Sequence, residues 1–144
     1  MQITSKFTIA IHIIIAIDYF KDSQAVTSTF LSGSVGSNPV IVRNIMGELK
    51  DAGIIDISRG KIGIRLAKEL KDITLYDVYK AVGCVEDNGL FHFHENPNAN
   101  CPVGRTIHKA MSKRLEDAQQ ALHASLKSTT LAEVMSDTMK EIQS

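Results

Sequence analysis

Several features that would assign a function class directly are scarce in this sequence. The chain has no tryptophan, three prolines and two cysteines, and its 16 basic residues balance its 16 acidic residues. A net charge of zero means that the overall electrostatic field predicts neither nucleic acid nor a membrane as a partner. The low proline content and the 44% hydrophobic residues argue against a disordered chain. Cys84 and Cys101 are expected to be reduced rather than bridged.

Long hydrophobic runs are also absent. The apolar run 7–17 is interrupted by His12 and is shorter than the roughly 20 residues that cross a bilayer. The residues around this run lack the basic start and the small-residue cleavage site of a signal peptide. We therefore expect a cytoplasmic protein with no membrane partner.

Catalytic motifs are missing as well. An enzyme needs a nucleophile with a base and an orienting group, a pair of carboxylates, or a phosphate-binding loop, and the sequence displays none of these patterns. The segment Gly33-Ser34-Val35-Gly36 is too short for a P-loop and lacks its Lys-Ser/Thr pair. We therefore expect that the protein is not an enzyme.

Two helices are predicted in the first third of the chain. Apolar residues recur at helical spacing over 9–17, although the many isoleucines would also suit a buried strand. A short helix is predicted through residues 25–31, with Asp22 or Ser23 as its N-cap. The residues 32–36 that follow are predicted to form a turn.

The third helix has the clearest start in the chain. Asn38 suits the N-cap, Pro39 suits the first helical position, and Gly53 suits the position after the last turn. One apolar stripe is predicted to face the core, and it consists of Val42, Ile45, Met46, Leu49 and Ala52. A short helix, a turn of small residues and a second helix with a single apolar stripe match the helix-turn-helix arrangement.

A basic hairpin is predicted directly after this helix. Two short apolar segments within residues 53–68 flank a glycine-containing tip, and no acidic residue occurs from Ile57 to Lys68. A helix-turn-helix followed by a hairpin predicts a winged helix, and a neutral protein needs local positive charge where it meets phosphate. Gly60 and Gly63 would allow the backbone to approach a ligand closely. The candidate wing contacts are Arg59, Lys61 and Arg65, and Lys68 adds to the local charge.

The exposed side of the third helix carries side chains suited to reading base edges. Arginine can bond guanine bidentately, asparagine can bond adenine in the same way, and valine can touch a thymine methyl group. The candidate DNA contacts on this helix and at its start are Ser37, Asn38, Val40, Arg43 and Asn44. The alternatives are a solvated helix face and a helix-turn-helix that serves a protein interface.

The second half of the chain is predicted to join two molecules. Thr74 and Asp77 resemble a capping box for a helix from residue 75 to about 82, and an irregular segment should follow over 83–104. Residues 107–126 then form a long helix with a narrow apolar stripe, which we expect to pack on a second copy of the chain. A further capping box at Thr130 should open a last short helix. We therefore divide the chain into a winged helix-turn-helix domain, 1–82, and an effector segment with a dimerisation helix, 83–144.

The histidines and cysteines do not form a metal motif. There is no C-x-x-C pair, and the spacing of His92 and His94 often means two surface imidazoles, so we expect no metal site. Cys101 is a candidate redox sensor, because Arg105 and His108 lie nearby in sequence and could lower its pKa. The alternative for Cys101 is a buried, inert thiol.

The sequence from about residue 3 to residue 135 resembles the Rrf-two (Rrf2) family of bacterial transcription regulators. The segments that carry the resemblance are Asn38-Pro39-Val40-Ile41-Val42-Arg43-Asn44-Ile45, Leu49-Lys50-Asp51-Ala52-Gly53-Ile54-Ile55, Ser58-Arg59-Gly60, Gly63, Leu66-Ala67, Ile73-Thr74-Leu75-Tyr76-Asp77-Val78 and Ala81-Val82. The resemblance implies a homodimer of winged helices joined by a long C-terminal helix. Each second helix of the helix-turn-helix would lie in a major groove and each wing on a minor groove. By position, Asn38, Val40, Arg43 and Asn44 would be recognition-helix contacts, and Arg59 and Lys61 wing contacts.

Two departures from this family stand out. Members that bind an iron-sulfur cluster place three cysteines before the long helix, whereas here Cys101 lies within that segment and Cys84 at its edge. The resemblance therefore implies a member without a cluster or other cofactor. The wing of the family also has two adjacent glycines, of which Gly63 is present and the next residue is Ile64, so the wing could sit differently on DNA.

Together these observations predict a mostly α-helical protein with a small β-hairpin wing. We expect a sequence-specific DNA-binding regulator, a repressor that acts as a homodimer on a palindromic operator in double-stranded DNA. A small effector of unidentified chemistry is a candidate partner, and residues 84–105 are the candidate effector segment. The rival hypotheses are a winged-helix module for protein assembly and a regulator switched through the thiol of Cys101.

Overall fold

The computed structural model describes residues 5–58, 63–83 and 90–144, and these residues form six α-helices and one two-stranded antiparallel sheet. The helices are α1 (Ser5–Phe20), α2 (Ser28–Val35), α3 (Pro39–Asp51), α4 (Leu75–Ala81), α5 (Pro102–Lys127) and α6 (Leu131–Gln143). The strands are β1 (Ile55–Ile57) and β2 (Ile64–Leu66), and a short 3-10 turn covers Leu70–Asp72. The predicted fold class, a winged helix-turn-helix with a long C-terminal helix, is confirmed.

The first helix lies at the centre of the protein. The five consecutive residues 13–17 are all buried, and α1 contacts α2, α3, α4, α6 and β2. Five successive positions cover every side of a helix with 3.6 residues per turn, so α1 must be surrounded. The predicted helix over 9–17 is confirmed, because burial on all sides outweighs the strand preference of isoleucine.

The second helix starts and ends later than predicted. Its N-cap is Thr27, whose hydroxyl accepts the N–H of Phe30 at 3.1 Å, rather than Asp22 or Ser23. The helix also continues through the predicted turn to Val35 and ends at Gly36, where φ is 74°. Of the residues expected in the turn, Ser32 is buried within α2 and donates its hydroxyl proton to the carbonyl of Ser37 at 2.7 Å.

The third helix begins as predicted. The Asn38 side-chain oxygen accepts the N–H of Val40 at 2.7 Å, and Pro39 is the first helical residue. Four of the five predicted stripe residues, Val42, Ile45, Met46 and Leu49, are buried. Ala52 is the exception, since it is the exposed C-cap. Gly53 follows it with a φ of 77°, as expected for a glycine just past a helix.

The hairpin pairs its strands in a simple register. Ile55 pairs with Leu66, Asp56 with Arg65, and Ile57 with Ile64. Ile55 and Ile64 are buried against the helices, whereas the middle pair is exposed. The predicted wing is therefore present at its base, and its tip residues Arg59, Gly60 and Lys61 lie outside the described residues.

The two C-terminal helices differ in burial: α6 is anchored in the core, whereas α5 is not. Thr74 and Thr130 each open a helix with a complete capping box, which confirms both predicted starts. Leu131 at the start of α6 is fully buried in the same core as α1. By contrast, none of the 26 residues of α5 is buried. This helix begins at Pro102, inside the predicted irregular segment, and is about 39 Å long at 1.5 Å per residue.

Candidate nucleic-acid interface

The candidate interface is built on the exposed side of α3. The buried stripe of this helix fixes its rotation, so the opposite side must face solvent. Arg43 and Asn44 are exposed there, and the side chain of Val40 is 54% exposed. In the part of the chain that the structure describes, Arg43 forms no hydrogen bond or ion pair, so its guanidinium is available to a ligand.

The start of α3 places limits on two candidate contacts. The side-chain oxygen of Asn38 already caps the helix, which leaves its amide nitrogen as a donor. A bidentate bond to adenine uses both groups, so it is not available to Asn38 while the cap is intact. Ser37 is half-buried, and its carbonyl accepts the hydroxyl of Ser32.

The candidate residues on α3 line two different open clefts. The wing-side cleft, of about 590 Å³, lies between α3, the start of α2 and the hairpin, and is lined by Arg43, Lys50 and Gly63 among others. The α1-side cleft, of about 600 Å³, lies between α1 and α3, and its lining includes Ser37 and Asn44. Arg43 and Asn44 therefore lie beside different clefts, although they are adjacent in sequence.

The α1-side cleft contains residues that the sequence analysis did not single out. Lys6 donates to Glu48 at 2.7 Å across this cleft and thereby joins the start of α1 to α3. Ile41 lines the same cleft and is 44% exposed. The sequence signal that could have identified Ile41 as an exposed residue is its position beside, rather than within, the apolar stripe of α3.

Arg65 is not brought together with Arg43. It is exposed on β2, and the cleft that it lines also contains Asp18 and Lys21 at the end of α1. Ion pairing there is between Lys21 and Asp18, at 3.1 Å. The two other predicted wing contacts, Arg59 and Lys61, lie outside the described residues.

The interpretation of Gly63 needs correction. We expected its lack of a side chain to serve close approach to a ligand, but the residue is buried and its φ is 75°. A Cβ atom at this position would lie 2.6 Å from the carbonyl oxygen of Val26, and the next residue, Ile64, donates its N–H to that oxygen at 2.9 Å. Gly63 therefore lets the hairpin pack on the chain itself.

The candidate redox residue Cys101 stands at the N-cap of α5. Its thiol is half-buried, unlike the fully buried thiol of the alternative hypothesis. The backbone N–H groups of Gly104 and Val103, at the start of α5, lower the pKa of this thiol because they favour the thiolate. Arg105 and His108 are not among the causes of this shift, contrary to the expectation from sequence.

No metal site is found in the described ranges 5–58, 63–83 and 90–144, where no group of three or more His, Cys, Asp or Glu residues could hold an ion. His108 instead packs its ring against Phe93 at 5.0 Å and His94 at 4.9 Å between centroids. Cys84 lies outside these ranges. In the same ranges, no helix has the length and apolar character needed to cross a membrane.

Comparisons with known proteins agree on one family. The family model Rrf2, described as an iron-dependent transcriptional regulator, matches residues 3–137. YwnA of Bacillus subtilis, whose name assigns it to the HTH-type transcriptional regulators, is 39% identical over 134 residues, which are 93% of this chain and 97% of YwnA. A second relative with a name of that kind, YffB of Lactococcus lactis, is 24% identical and covers 96% of this chain and 89% of its own.

Solved structures agree with this match. A crystal structure whose name assigns it to the DNA-binding proteins has 34% identity and a TM-score of 0.71, and the alignment covers 91% of this chain and 99% of that one. A transcriptional-regulator structure from Lactobacillus plantarum has 25% identity and a TM-score of 0.74, over 93% and 89% of the two chains. The match to the family model along nearly the whole sequence, the extent of these alignments and the winged helix itself lead to one conclusion: the chain belongs to the Rrf2 family of transcriptional regulators.

Proposed function

We propose that this protein is a DNA-binding transcriptional repressor that acts as a homodimer on a palindromic operator in the cytoplasm. The observation that carries the proposal is the exposed face of α3, where an unpaired Arg43 stands beside Asn44 on a helix whose rotation is fixed by buried residues. Membership of a family of regulators supports the proposal.

In this proposal α3 lies in a major groove. Arg43 bonds guanine or a phosphate from the wing-side cleft, and Asn44 bonds a base from the α1-side cleft. Ser37 and Asn38 donate to the backbone at the start of the helix, and Val40 touches a thymine methyl group. Arg59 and Lys61 contact phosphate or the minor groove from the wing. Because Arg65 lies beside another cleft, we assign it to a phosphate outside the groove that Arg43 enters.

The long helix α5 supports the homodimer. A helix of 26 residues without a single buried residue leaves its apolar stripe partly in water. The stripe residues that are half-buried in the single chain are Ile107, Met111, Leu115, Leu122 and Leu126. A second copy related by a two-fold axis would cover this stripe and place two α3 helices on two half-sites. Residues 1–82 then read DNA, and residues 83–144 provide the dimer contacts and the effector segment.

Iron dependence is not part of the proposal. The description of the family names iron, but the described residues do not bring three ligands together. Cys101 is the one cysteine among them, and the rings of His94 and His108 pack against each other at 4.9 Å between centroids. These residues do not fit a cluster, and we derive no step through one.

Fluorescence anisotropy tests the proposal. Duplex DNA from upstream of the gene and a scrambled duplex are titrated with wild type and Arg43→Ala over a range of salt concentrations. We expect wild type to prefer the native duplex and Arg43→Ala to lose roughly 5- to 150-fold in affinity for it. Lys140→Ala removes an equal charge from α6 and should leave the preference intact. Arg59→Ala should reduce the salt slope by about one.

The result also separates the proposal from protein assembly. A winged helix that serves a protein interface would bind neither duplex even at low salt and would be indifferent to Arg43→Ala. A native duplex cut to a single half-site should bind far more weakly than the full site, because one of the two α3 helices would lose its contacts. Equal affinity for both lengths would contradict the palindromic operator.

A second candidate function is a thiol switch at Cys101, which the lowered pKa of this half-buried thiol favours. The thiolate would attack hydrogen peroxide, so that the sulfur is oxidised to sulfenic acid and the peroxide is reduced with release of hydroxide. Because Cys101 is the N-cap residue of α5, its oxidation would act at the start of the dimer helix. If the DNA affinity of wild type and Cys101→Ser responds equally to peroxide, this switch does not exist.

A further inference from the structure

We propose that Ile41, together with Val40, recognises the C5-methyl groups of thymine, so that α3 selects A·T pairs on the side of the α1-side cleft. This inference rests on the proposed function, because it requires α3 to lie in a major groove. It adds a specificity-determining residue, Ile41, and names the base pair that this side of the helix selects.

The exposure of the two side chains has no explanation within the described fold. Val40 is 54% and Ile41 is 44% exposed, although both are large and apolar. The packing of α3 on the core is made by its buried stripe, which does not include either residue. Valine and isoleucine are also weaker helix formers than alanine, lysine or glutamate, so helical propensity does not favour them at exposed positions.

The position of the pair matches that of base-reading residues. Both residues lie in the first turn of α3, and recognition helices contact base edges mainly through their N-terminal residues. The Asn38 cap and Pro39 fix the backbone of this turn. The side chains themselves are stiff, because branching at Cβ leaves one strongly preferred χ1 rotamer in a helix. The turn therefore presents a preformed apolar surface.

The neighbour of this surface identifies its ligand. Asn44 follows Ile41 by three residues and Val40 by four, so its side chain is next to both on the helix surface. It also shares the α1-side cleft with Ile41, whereas Arg43 lies on the wing side. In the major groove, asparagine pairs bidentately with adenine, and the apolar group on offer is the thymine methyl. An A·T pair or two neighbouring A·T pairs supply both features, and a G·C pair supplies neither.

The test removes single methyl groups from the DNA. A duplex is first selected from a random-sequence library with the full-length protein, and each thymine in a half-site is then replaced in turn by deoxyuridine. Affinity is measured by anisotropy for wild type, Ile41→Ala and Val40→Ala. We expect uracil at one or two positions to weaken wild-type binding about fourfold, which is the value of burying one methyl group. Uracil at the Ile41-dependent position should cost Ile41→Ala nothing further, as in a double-mutant cycle.

The controls separate this contact from general effects. Ile142 is 53% exposed on α6, so Ile142→Ala makes the same chemical change away from α3. This variant should keep the uracil response of wild type, even if it weakens binding to every duplex alike. The uracil substitutions leave the protein untouched, so the wild-type result does not depend on how a variant folds.

Each outcome has one meaning. Wild type that binds a selected sequence with no thymine dependence overturns the inference and leaves the proposed function standing. A uracil response that persists unchanged in Ile41→Ala overturns the role of Ile41. If no sequence is enriched and selected and random duplexes bind equally, the proposed function fails, and this inference fails with it.

Discussion

Thr74 and Thr130 face each other across an antiparallel β-bridge, and each is the N-cap of a helix that begins one residue later. The N–H of Leu75 donates to the carbonyl of Thr129 at 2.9 Å, and the N–H of Leu131 donates to the carbonyl of Ile73 at 2.7 Å. These bonds join the start of α6 to the start of α4. Helix α6 is therefore attached to the winged helix by backbone hydrogen bonds as well as by the burial of Leu131.

Removing one of these caps should weaken the whole protein. Thr130→Ala loses the hydroxyl that accepts the N–H of Glu133 at 3.3 Å, and we expect a decrease of about 1 kcal/mol in the free energy of unfolding. Urea denaturation measures it. Thr106→Ala is the matched control, because that hydroxyl donates to the Pro102 carbonyl within α5 and caps nothing. Similar losses in both variants would show that the cap is not what stabilises this junction.

Substitution of Gly63 should be costly for two separable reasons. Gly63→Ala places a Cβ atom 2.6 Å from the Val26 oxygen and forces an L-residue into φ of 75°. Gly36→Ala has a similar φ of 74° with nothing within 4 Å, so it should lose only about 1–2 kcal/mol from backbone strain. We expect Gly63→Ala to lose more than Gly36→Ala in the same unfolding measurement. Equal losses would mean that the hairpin can move away from Val26 at little cost.

His123 should hold α5 against α4. Its ring lies 5.2 Å from the ring of Tyr76 and 5.7 Å from that of Tyr79, and Lys127 of the same helix lies 4.6 Å from the Tyr76 centroid. Loss of these ring contacts in His123→Ala should lower the free energy of unfolding by about 1 kcal/mol. Ser125→Ala, at an exposed position on the same helix, should stay within about 0.5 kcal/mol of wild type. The prediction is wrong if thermal denaturation does not distinguish the two variants.

A charge in the stripe of α5 should separate the homodimer. Leu115 is half-buried in the single chain, and Leu115→Glu would place a carboxylate where we expect the apolar surface of a second copy. Light scattering after size exclusion should show a dimer for wild type and a monomer for this variant. Gln120→Glu adds the same charge on an exposed position of α5 and should remain dimeric. A monomeric wild type at micromolar concentration would contradict the dimer itself.

The thiol of Cys101 should react at lower pH than an ordinary cysteine. The N–H groups of Gly104 and Val103 lower its pKa in the folded state, so the thiolate forms at a lower pH there than in the unfolded chain. The rate of alkylation by iodoacetamide in Cys84→Ser should therefore rise at lower pH in the native protein than in urea. Coincident pH profiles would remove the basis for a thiol switch.

Local sequence signals predicted much of the fold. The cap at Asn38 and the two capping boxes predicted the starts of α3, α4 and α6, because these caps are hydrogen bonds within one turn of the chain. The helical spacing of the apolar residues predicted which side of α3 is buried, with the exception of Ala52. The predicted start of α2 was wrong: Asp22, Ser23 and Thr27 are all good caps, and the helix begins after Thr27, with Phe30 of its first turn packed against Phe20. Sequence spacing could not reveal that choice.

Less of the candidate site than of the fold could be predicted from the sequence. The exposure of Val40, Arg43 and Asn44 follows from the stripe, but the division of the site into two clefts depends on where α1 and the hairpin pack. In the sequence, Gly63 looks like a glycine that lets a ligand approach the backbone. Val26, which it actually packs against, lies 37 positions earlier in the chain. Neither relationship has a local signature, because both arise from tertiary packing.

The attachment of α6 to α4 has a mechanical consequence for a dimer held by α5. Since α5 ends at Lys127 and Leu131 already lies in the core beside α1, only residues 128–130 separate the C-terminal end of α5 from the core that supports α3 in the same subunit. The distance and the angle between the two α3 helices of such a dimer would then be fixed. One base pair inserted at the centre of an operator displaces one half by about 3.4 Å and rotates it by roughly one-tenth of a turn. A dimer whose two α3 helices are held at a fixed distance and angle would no longer fit both half-sites.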